Sequence, residues 1–334
     1  MSTTPSPYLQ GKIVLVTGGT GSFGTAFLRT LLDAHDPAAV RVYSRDELKQ
    51  YNLQRAVDAD PRVRFLIGDV RDAKRLEMAL RGVDVVIHAA ALKQVPACEY
   101  NPFEAVKTNI HGAENVVAAA IANDVPRTLA LSTDKAVNPV NLYGATKLAA
   151  EKIVTQGNAY AGGSPARFAT MRYGNVVGSR GSVIPLFKAQ AREGELTITD
   201  EAMTRFWITL EQAVEFVISC LALMHGGEVF VPRIPSMKVL EMAEAIAPRA
   251  TRRIIGIRPG EKVHEVLLTE DESRRTRALE DRFVIYPQLP SWAITHEQVG
   301  EELPPGFRYS SDNNDVWLGA EEIRTMAALV PVVV

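Results

Sequence analysis

The chain has 334 residues, 46% of them hydrophobic and 23% charged, with Lys+Arg 37 against Asp+Glu 39. That length can bury a substantial core in one large domain or two smaller ones, and the near-neutral balance argues against nucleic acid or an anionic membrane as partner. Cys98 and Cys220 lie far apart without metal-ligand spacing, which implies a reducing compartment, the cytoplasm by default, and no disulfide framework.

Residues 1–10 lack the basic-then-apolar pattern of a signal peptide. Six apolar runs of strand length follow, at 12–17, 39–44, 63–67, 83–89, 127–132 and 168–173. Helix-compatible segments at 22–33, 73–80, 101–123 and 142–159 lie between them. This alternation predicts an α/β fold, a doubly wound Rossmann parallel sheet covered on both faces. The apolar stretch 83–92 is too short to span a membrane and carries Asp84 and His88. After Tyr173 the rhythm breaks, and glycine- and proline-rich connections at 178–182 and 258–260 predict a smaller, loop-rich α/β lobe for substrate. The expected division is a cofactor domain over 1–177, also receiving segments near 206–232 and 262–285, and a lobe over 178–334. The apolar end 329–334 reads equally as a docked strand or a frayed tail.

The first strand runs into Gly18, Thr20, Gly21, Ser22, Phe23 and Gly24, with glycines at three-residue spacing. Glycine permits a tight turn and close approach of a pyrophosphate, and the helix N-terminus adds amides and partial positive charge. Strand, glycines and helix in that order predict dinucleotide binding. The second strand ends in Ser44, Arg45 and Asp46, with Lys49 one turn on. Arginine and serine there suit a 2′-phosphate, favouring NADP over NAD, although Asp46 could hold a ribose hydroxyl. Asp69 and Val70 after the third strand are placed to meet an adenine edge, or form an ordinary turn. Ala89 and Ala90 after the fourth are small enough for a nicotinamide ribose to lie against the backbone.

The chemistry concentrates at Thr133, Asp134, Lys135, Tyr143 and Lys147. Tyr143 and Lys147, four residues apart, share one helix face. A phenol alone keeps its proton to about pH 10, and a neighbouring ammonium favours the phenolate, making the tyrosine a usable base. Asp134 and Lys135 add an acid and a second amine, more than a simple hydride transfer needs. No histidine has metal spacing, and no metal is expected.

These motifs together make the chain resemble the extended short-chain dehydrogenase/reductases. Within them it is similar to the inverting UDP-N-acetylglucosamine 4,6-dehydratases of the pseudaminic acid type. The resemblance runs from Gly-Gly-Thr-Gly-Ser-Phe-Gly (18–24) through Ser-Thr-Asp-Lys-Ala (132–136) and Asn-Leu-Tyr-Gly-Ala-Thr-Lys (141–147) to Asp-Asn-Asn-Asp-Val-Trp (312–317). Lysine at 135 together with tyrosine at 143 resembles the inverting branch rather than the retaining one. The resemblance implies that Tyr143 takes the sugar 4-hydroxyl proton with Thr133 bonded to the same oxygen. It implies that Lys147 holds the cofactor ribose and lowers the tyrosine, that a neutral Lys135 removes the C5 proton, and that protonated Asp134 serves the leaving 6-hydroxyl.

For the UDP-sugar the resemblance implies Arg205 and Arg258 at the diphosphate, Asn175 at phosphate or sugar, and Thr197 and Thr199 at uracil. Glu261 is assigned to the ribose and Lys93 to the sugar, and a homo-oligomer is implied. Gln94 stands where members read histidine, and Cys98 reads as packing. A nucleotide-sugar C5 or C4 epimerase and a non-catalytic NADP-sensing module are the alternatives on this fold.

Overall fold

The computed structural model describes residues 6–178, 183–288 and 297–330. The glycine turn expected at 178–182, apart from Gly178, and the apolar end beyond Val330 lie outside the described residues. Strands β1 (Ile13–Thr17), β2 (Ala39–Ser44), β3 (Val63–Ile67), β4 (Val85–His88), β5 (Arg127–Leu131) and β6 (Arg167–Met171) alternate with helices. The helices are α1 (Ser22–Ala34), α2 (Glu47–Ala56), α3 (Ala73–Leu80), α4 (Val95–Tyr100), α5 (Pro102–Ala105), α6 (Gly112–Ala122) and α7 (Leu142–Tyr160). The six strands pair in parallel in the order β3-β2-β1-β4-β5-β6. This is the doubly wound sheet expected from the alternating pattern.

Residues along each strand alternate between two cores, as the pleat requires. Val14 and Val16 share one core with Phe27, Leu28 and Leu31 of α1. Leu15, between them, belongs to the other, with Leu76 and Leu80 of α3, Val116 of α6 and Val154 of α7. Each such side chain contributes ~1.5–3 kcal/mol on burial. A one-residue slip of β1 would move all three to the wrong layer.

The second half departs from a continued parallel sheet. It contains β7 (Asn175–Val176), α8 (Val183–Ala191), β8 (Glu195–Ile198), β9 (Thr204–Ile208), α9 (Leu210–Leu223), β10 (Val229–Pro232), β11 (Ser236–Lys238) and α10 (Val239–Ile246). Then come β12 (Thr251–Ile254), β13 (Val266–Leu268), α11 (Glu270–Ser273), β14 (Thr276–Ala278), β15 (Arg282–Ile285), β16 (Glu301–Glu302), β17 (Tyr309–Ser310) and α12 (Ala320–Ala328). Strand β10 adds to the main sheet parallel to β6, and β15, β14 and β16 follow it antiparallel. The β14–β15 connection is a tight turn closed by Leu279 N–H donating to Arg282 O at 2.8 Å. Only antiparallel neighbours can be joined so closely. Helix α9 packs into the first core through Val214, Val217 and Leu221.

Helices α8, α10 and α12 with strands β8, β9 and β11 surround a separate core that includes Phe187, Leu196, Ile198, Trp207, Met242 and Ile323. Two small sheets frame it, β11-β9-β7 and β12-β8. Among the described residues no helix is long and apolar enough to cross a membrane.

Candidate active site

At the C-terminal edge of the sheet, β1 turns into α1 at Gly18, whose φ is +67°. A Cβ there would lie 2.9 Å from the backbone of Ala90, so only glycine allows the β1 and β4 ends to meet this closely. Helices α2 and α3 are capped by Asp46 and Asp72, which accept from Lys49 N and Arg75 N. Helix α1 has no side-chain cap and no acidic residue in its first turn. An uncapped, uncharged helix start at the sheet's switch point suits a phosphate anion. Residues Thr20 to Gly24 therefore fit a dinucleotide pyrophosphate.

The neighbouring loops are partly committed to one another. Asp46, besides capping α2, pairs with Lys49 Nζ at 2.5 Å. Asp69 receives Arg71 Nε and Nη2 at 2.9 and 2.7 Å, and Arg45 lies 3.6 Å away and half exposed. Ser44 Oγ accepts from Gln50 at 3.0 Å. Thr17 Oγ1 accepts from the amides of Ala89 and Ala90 and meets His88 Nδ1 at 2.8 Å. His88 is buried and, also repelled by Lys147, is held neutral with its pKa lowered to about 3.

The chemical residues converge where β5 ends. Thr133 caps a short 3-10 turn over Asp134–Ala136, and its hydroxyl donates to Asp134 Oδ1 at 2.9 Å. Lys135 Nζ donates to both Asp134 oxygens, at 3.2 and 3.1 Å. The Asp134 side chain is 2% exposed. Helix α7 brings Tyr143 and Lys147 beside this turn, with Asn141 accepting from Gly144 N as its cap. A Cβ on Gly144 would sit 2.1 Å from Lys135 O, so helix and turn touch only because this residue has none.

Burial pushes the Tyr143 phenol up, Asp134 pushes it further, and a hydrogen bond with Thr133 offsets part of this. Lys147 is itself lowered to about 8 by burial, against the pull of Glu151, and donates to Leu131 O at 2.6 Å. Burial is thus the main cause acting on the tyrosine, while the Lys147 ammonium is held by the Leu131 carbonyl and the charge of Glu151. Lys135 departs from expectation. Burial works to lower it, but the carboxylates of Asp134 and Glu265 outweigh that, and the net direction is up.

Several contributors had no sequence signal. Glu265, just before β13, places Oε1 3.9 Å from Lys135 Nζ and 3.3 Å from Arg205 Nε. Asn109 lies in a stretch of π-helix, Val106–His111, a local irregularity common at functional sites. Its amide joins Leu92 to Thr146 of α7. Glu151 of α7 accepts from Ser132 and from Arg172, which also grips Glu272. A Lys-x₃-Glu reading of α7, from Lys147 to Glu151, would have drawn attention to Glu151, and nothing comparable marks the other two.

The substrate candidates divide. Asn175 lies at the centre, donating to Glu265 Oε1 at 2.7 Å. Arg205 is mostly buried and bonded to Thr204 O and Val263 O, with Nη2 near Met203 Sδ, so it is engaged within the protein. Arg258 and Glu261 form one loop, Arg258 N donating to Glu261 Oε2 at 3.2 Å. Gly260 O of that loop accepts from Asn141, tying it to the start of α7. Thr197 is paired with Gln190, and Thr199 Oγ1 lies 3.2 Å from Met203 Sδ, both at the lobe's β8. Lys93 is exposed on the loop after β4.

The profile of the family described as polysaccharide biosynthesis protein matches residues 14–287. The chain belongs to this family. Its fold is that of the extended short-chain dehydrogenase/reductases. A relative from Campylobacter jejuni subsp. jejuni serotype O:2, named UDP-N-acetylglucosamine 4,6-dehydratase (inverting), is 51% identical, covering 93% of this chain and 96% of that one. A family relative from Rickettsia conorii, named UDP-glucose 4-epimerase, is 43% identical, with 82% of each covered. Among solved structures, Pen from Bacillus thuringiensis superposes with a TM-score of 0.87 at 39% identity, covering 96% and 99% of the two chains. The dTDP-glucose 4,6-dehydratase DesIV from Streptomyces venezuelae, with NAD and TYD bound, gives 0.67 at 26% identity, covering 75% and 86%.

Proposed function

We propose that this chain is an NADP-dependent hydro-lyase. It dehydrates UDP-N-acetylglucosamine across C5 and C6 with inversion at C5, giving UDP-2-acetamido-2,6-dideoxy-β-L-arabino-hex-4-ulose. The observation that carries the reading is the buried Asp134 carboxylate, ion-paired to the partly exposed Lys135 ammonium and held beside Tyr143. A 4-epimerase needs the tyrosine but no acid and base directed at C6 and C5, which weighs against the epimerase name borne by the Rickettsia relative.

A nicotinamide cofactor would supply the hydride acceptor for C4 and the hydride donor for C6, with none consumed over a turnover. The uncapped start of α1 would hold its pyrophosphate, and Ser44, Arg45 and Lys49, at the end of β2 and the start of α2, would suit a 2′-phosphate, which favours NADP. Tyr143 takes the 4-hydroxyl proton, with Thr133 bonded to the same oxygen. The high phenol pKa in the free chain means that this base forms only once positive charge arrives at the site.

The ion pair also resolves how Lys135 can act as a base. Asp134 and Lys135 share one proton across 3.1 Å. Moving that proton along the hydrogen bond yields a neutral acid and a neutral amine at once, without exchange with solvent. Closure over a substrate favours this uncharged form, because burial penalises both charges. Lys135 then removes the C5 proton, and Asp134 donates to the departing 6-hydroxyl. The buried, unpaired cysteines accord with a cytoplasmic setting.

Incubation with UDP-N-acetylglucosamine in heavy water, followed by proton NMR, tests this directly. The expected product is a 6-deoxy-4-keto sugar with deuterium at C5 and L-configured couplings, formed without net use of added NADP. Unchanged substrate, or an epimer that retains its water, overturns the reading.

A further inference from the structure

Glu265 belongs to the segment that returns from the substrate lobe, yet its carboxylate lies in the acid–base centre. Oε1 accepts from Asn175 Nδ2 at 2.7 Å and faces Arg205 Nε at 3.3 Å and Lys135 Nζ at 3.9 Å. Oε2 accepts from Phe206 N at 3.0 Å. The side chain is 4% exposed. A carboxylate this dry persists only because strands β7 and β9 supply donors on both oxygens. Four charged side chains thus meet: Asp134 and Lys135 on the turn after β5, Arg205 on β9 and Glu265 before β13. Lys262, from the same returning segment, approaches from the side and donates to Val137 O. Tyr143 of α7 faces Asp134.

We propose that Glu265 is a positioning residue: it holds the Lys135 ammonium between two carboxylates and so keeps the proton that the Asp134–Lys135 pair needs from escaping to solvent. The inference rests on that pair acting as acid and base. Asp134 alone cannot do both, because a carboxylate that gives up its proton partner leaves Lys135 neutral and the acid missing. Glu265 supplies the second negative charge without lying in the proton path. Its own proton affinity is raised by burial and by Asp134, and is restrained by Lys135, Arg205 and Asn175. Asn175 and Arg205, read from sequence as substrate ligands, act here as the frame that fixes Glu265.

The test is Glu265→Gln, which removes the charge and keeps the size. Acylation of the Lys135 amine is followed against pH by mass spectrometry, with no substrate needed. The half-labelling pH is expected to fall by about one unit, in line with the loss of one opposite charge at this distance. The basic limb of the kcat/KM profile should fall with it, and kcat by about tenfold, with KM within about threefold. Glu265→Asp, one methylene shorter, is expected to shift the limb in the same direction by less than half as much. It reads the same coupling if the glutamine variant melts. Unchanged labelling in both variants overturns the inference. A wild-type chain that leaves UDP-N-acetylglucosamine untouched overturns the proposed reaction instead, and the labelling still decides the role of Glu265.

Discussion

Two charge clusters flank helix α7, one around a buried arginine and one around a partly exposed lysine, and they are built differently. Behind the helix, Arg172 is 1% exposed and grips Glu151 at 2.9 and 2.6 Å and Glu272 at 2.9 and 2.7 Å, with Leu267 O taking a further N–H. In front of it, Lys135 reaches Asp134 at 3.1 Å and Glu265 only at 3.9 Å. The first cluster uses a guanidinium, whose planar fork matches carboxylates and does not lose its proton. The second uses an ammonium, a point charge that a dry site can discharge. Tight bidentate geometry marks the cluster that fastens β6, α7 and α11 together. Looser geometry around a lysine marks the one proposed to move protons.

If this contrast holds, changes in the two clusters separate activity from stability. The largest effect is expected for Lys135→Met, which removes the C5 base and the partner of Asp134. Turnover should fall by about 10²–10⁴; some stability is lost too, since Asp134 is left buried without its ammonium, but less than for Arg172→Met, by NMR assay and calorimetry. A comparable loss of stability would place Lys135 with the fastening cluster and break the comparison. Arg172→Met should do the reverse, depriving the buried Glu151 and the partly buried Glu272 of the guanidinium that bonds them both. Removing one partner of such a cluster costs about 3–5 kcal/mol, read by urea unfolding.

Gly144→Ala tests the junction of the two regions, since its Cβ would meet Lys135 O. Overpacking of this kind costs about 1–3 kcal/mol, and kcat should fall more than stability because the turn carrying Lys135 must shift.

Acid stability gives a smaller reading. Burial pushes Glu272 up, but the hydrogen bond and charge of Arg172 reverse this and lower its pKa from 4.5 to about 2. A depressed carboxyl contributes stability that is present above pH 4.5 and is lost as pH falls toward 2. Glu272→Gln should flatten the pH dependence of unfolding in that window, and an unchanged slope would remove Glu272 from the cluster. The smallest effect is expected at the exposed Arg45. Its replacement by alanine should cost no more than about tenfold in NADP preference, measured by NADPH and NADH titration, as screened surface charges contribute little.

The parallel sheet was legible because its signals are local. Strand length, continuous apolar character and glycine spacing are properties of neighbouring residues, and the six strands lie within a residue or two of their apolar runs. The antiparallel extension by β14, β15 and β16 was not, since short strands in a loop-rich half carry little pattern of their own. At the site, Thr133, Asp134, Lys135, Tyr143 and Lys147 stand within 15 positions and were readable as a group. Glu265 is 130 positions from Lys135, and no spacing rule relates them.

Residue order alone determined the chemical inventory: a glycine turn for a dinucleotide, a tyrosine and lysine on one helix face, and an acid next to an amine. Tertiary structure decided the charge state of that inventory. The Lys135 ammonium is favoured first by the adjacent Asp134 and then by Glu265, brought in from just before β13, and burial is the main cause that raises the Tyr143 phenol. Proton affinity is set by solvation and by charges within a few ångströms, and only the folded chain specifies which charges those are.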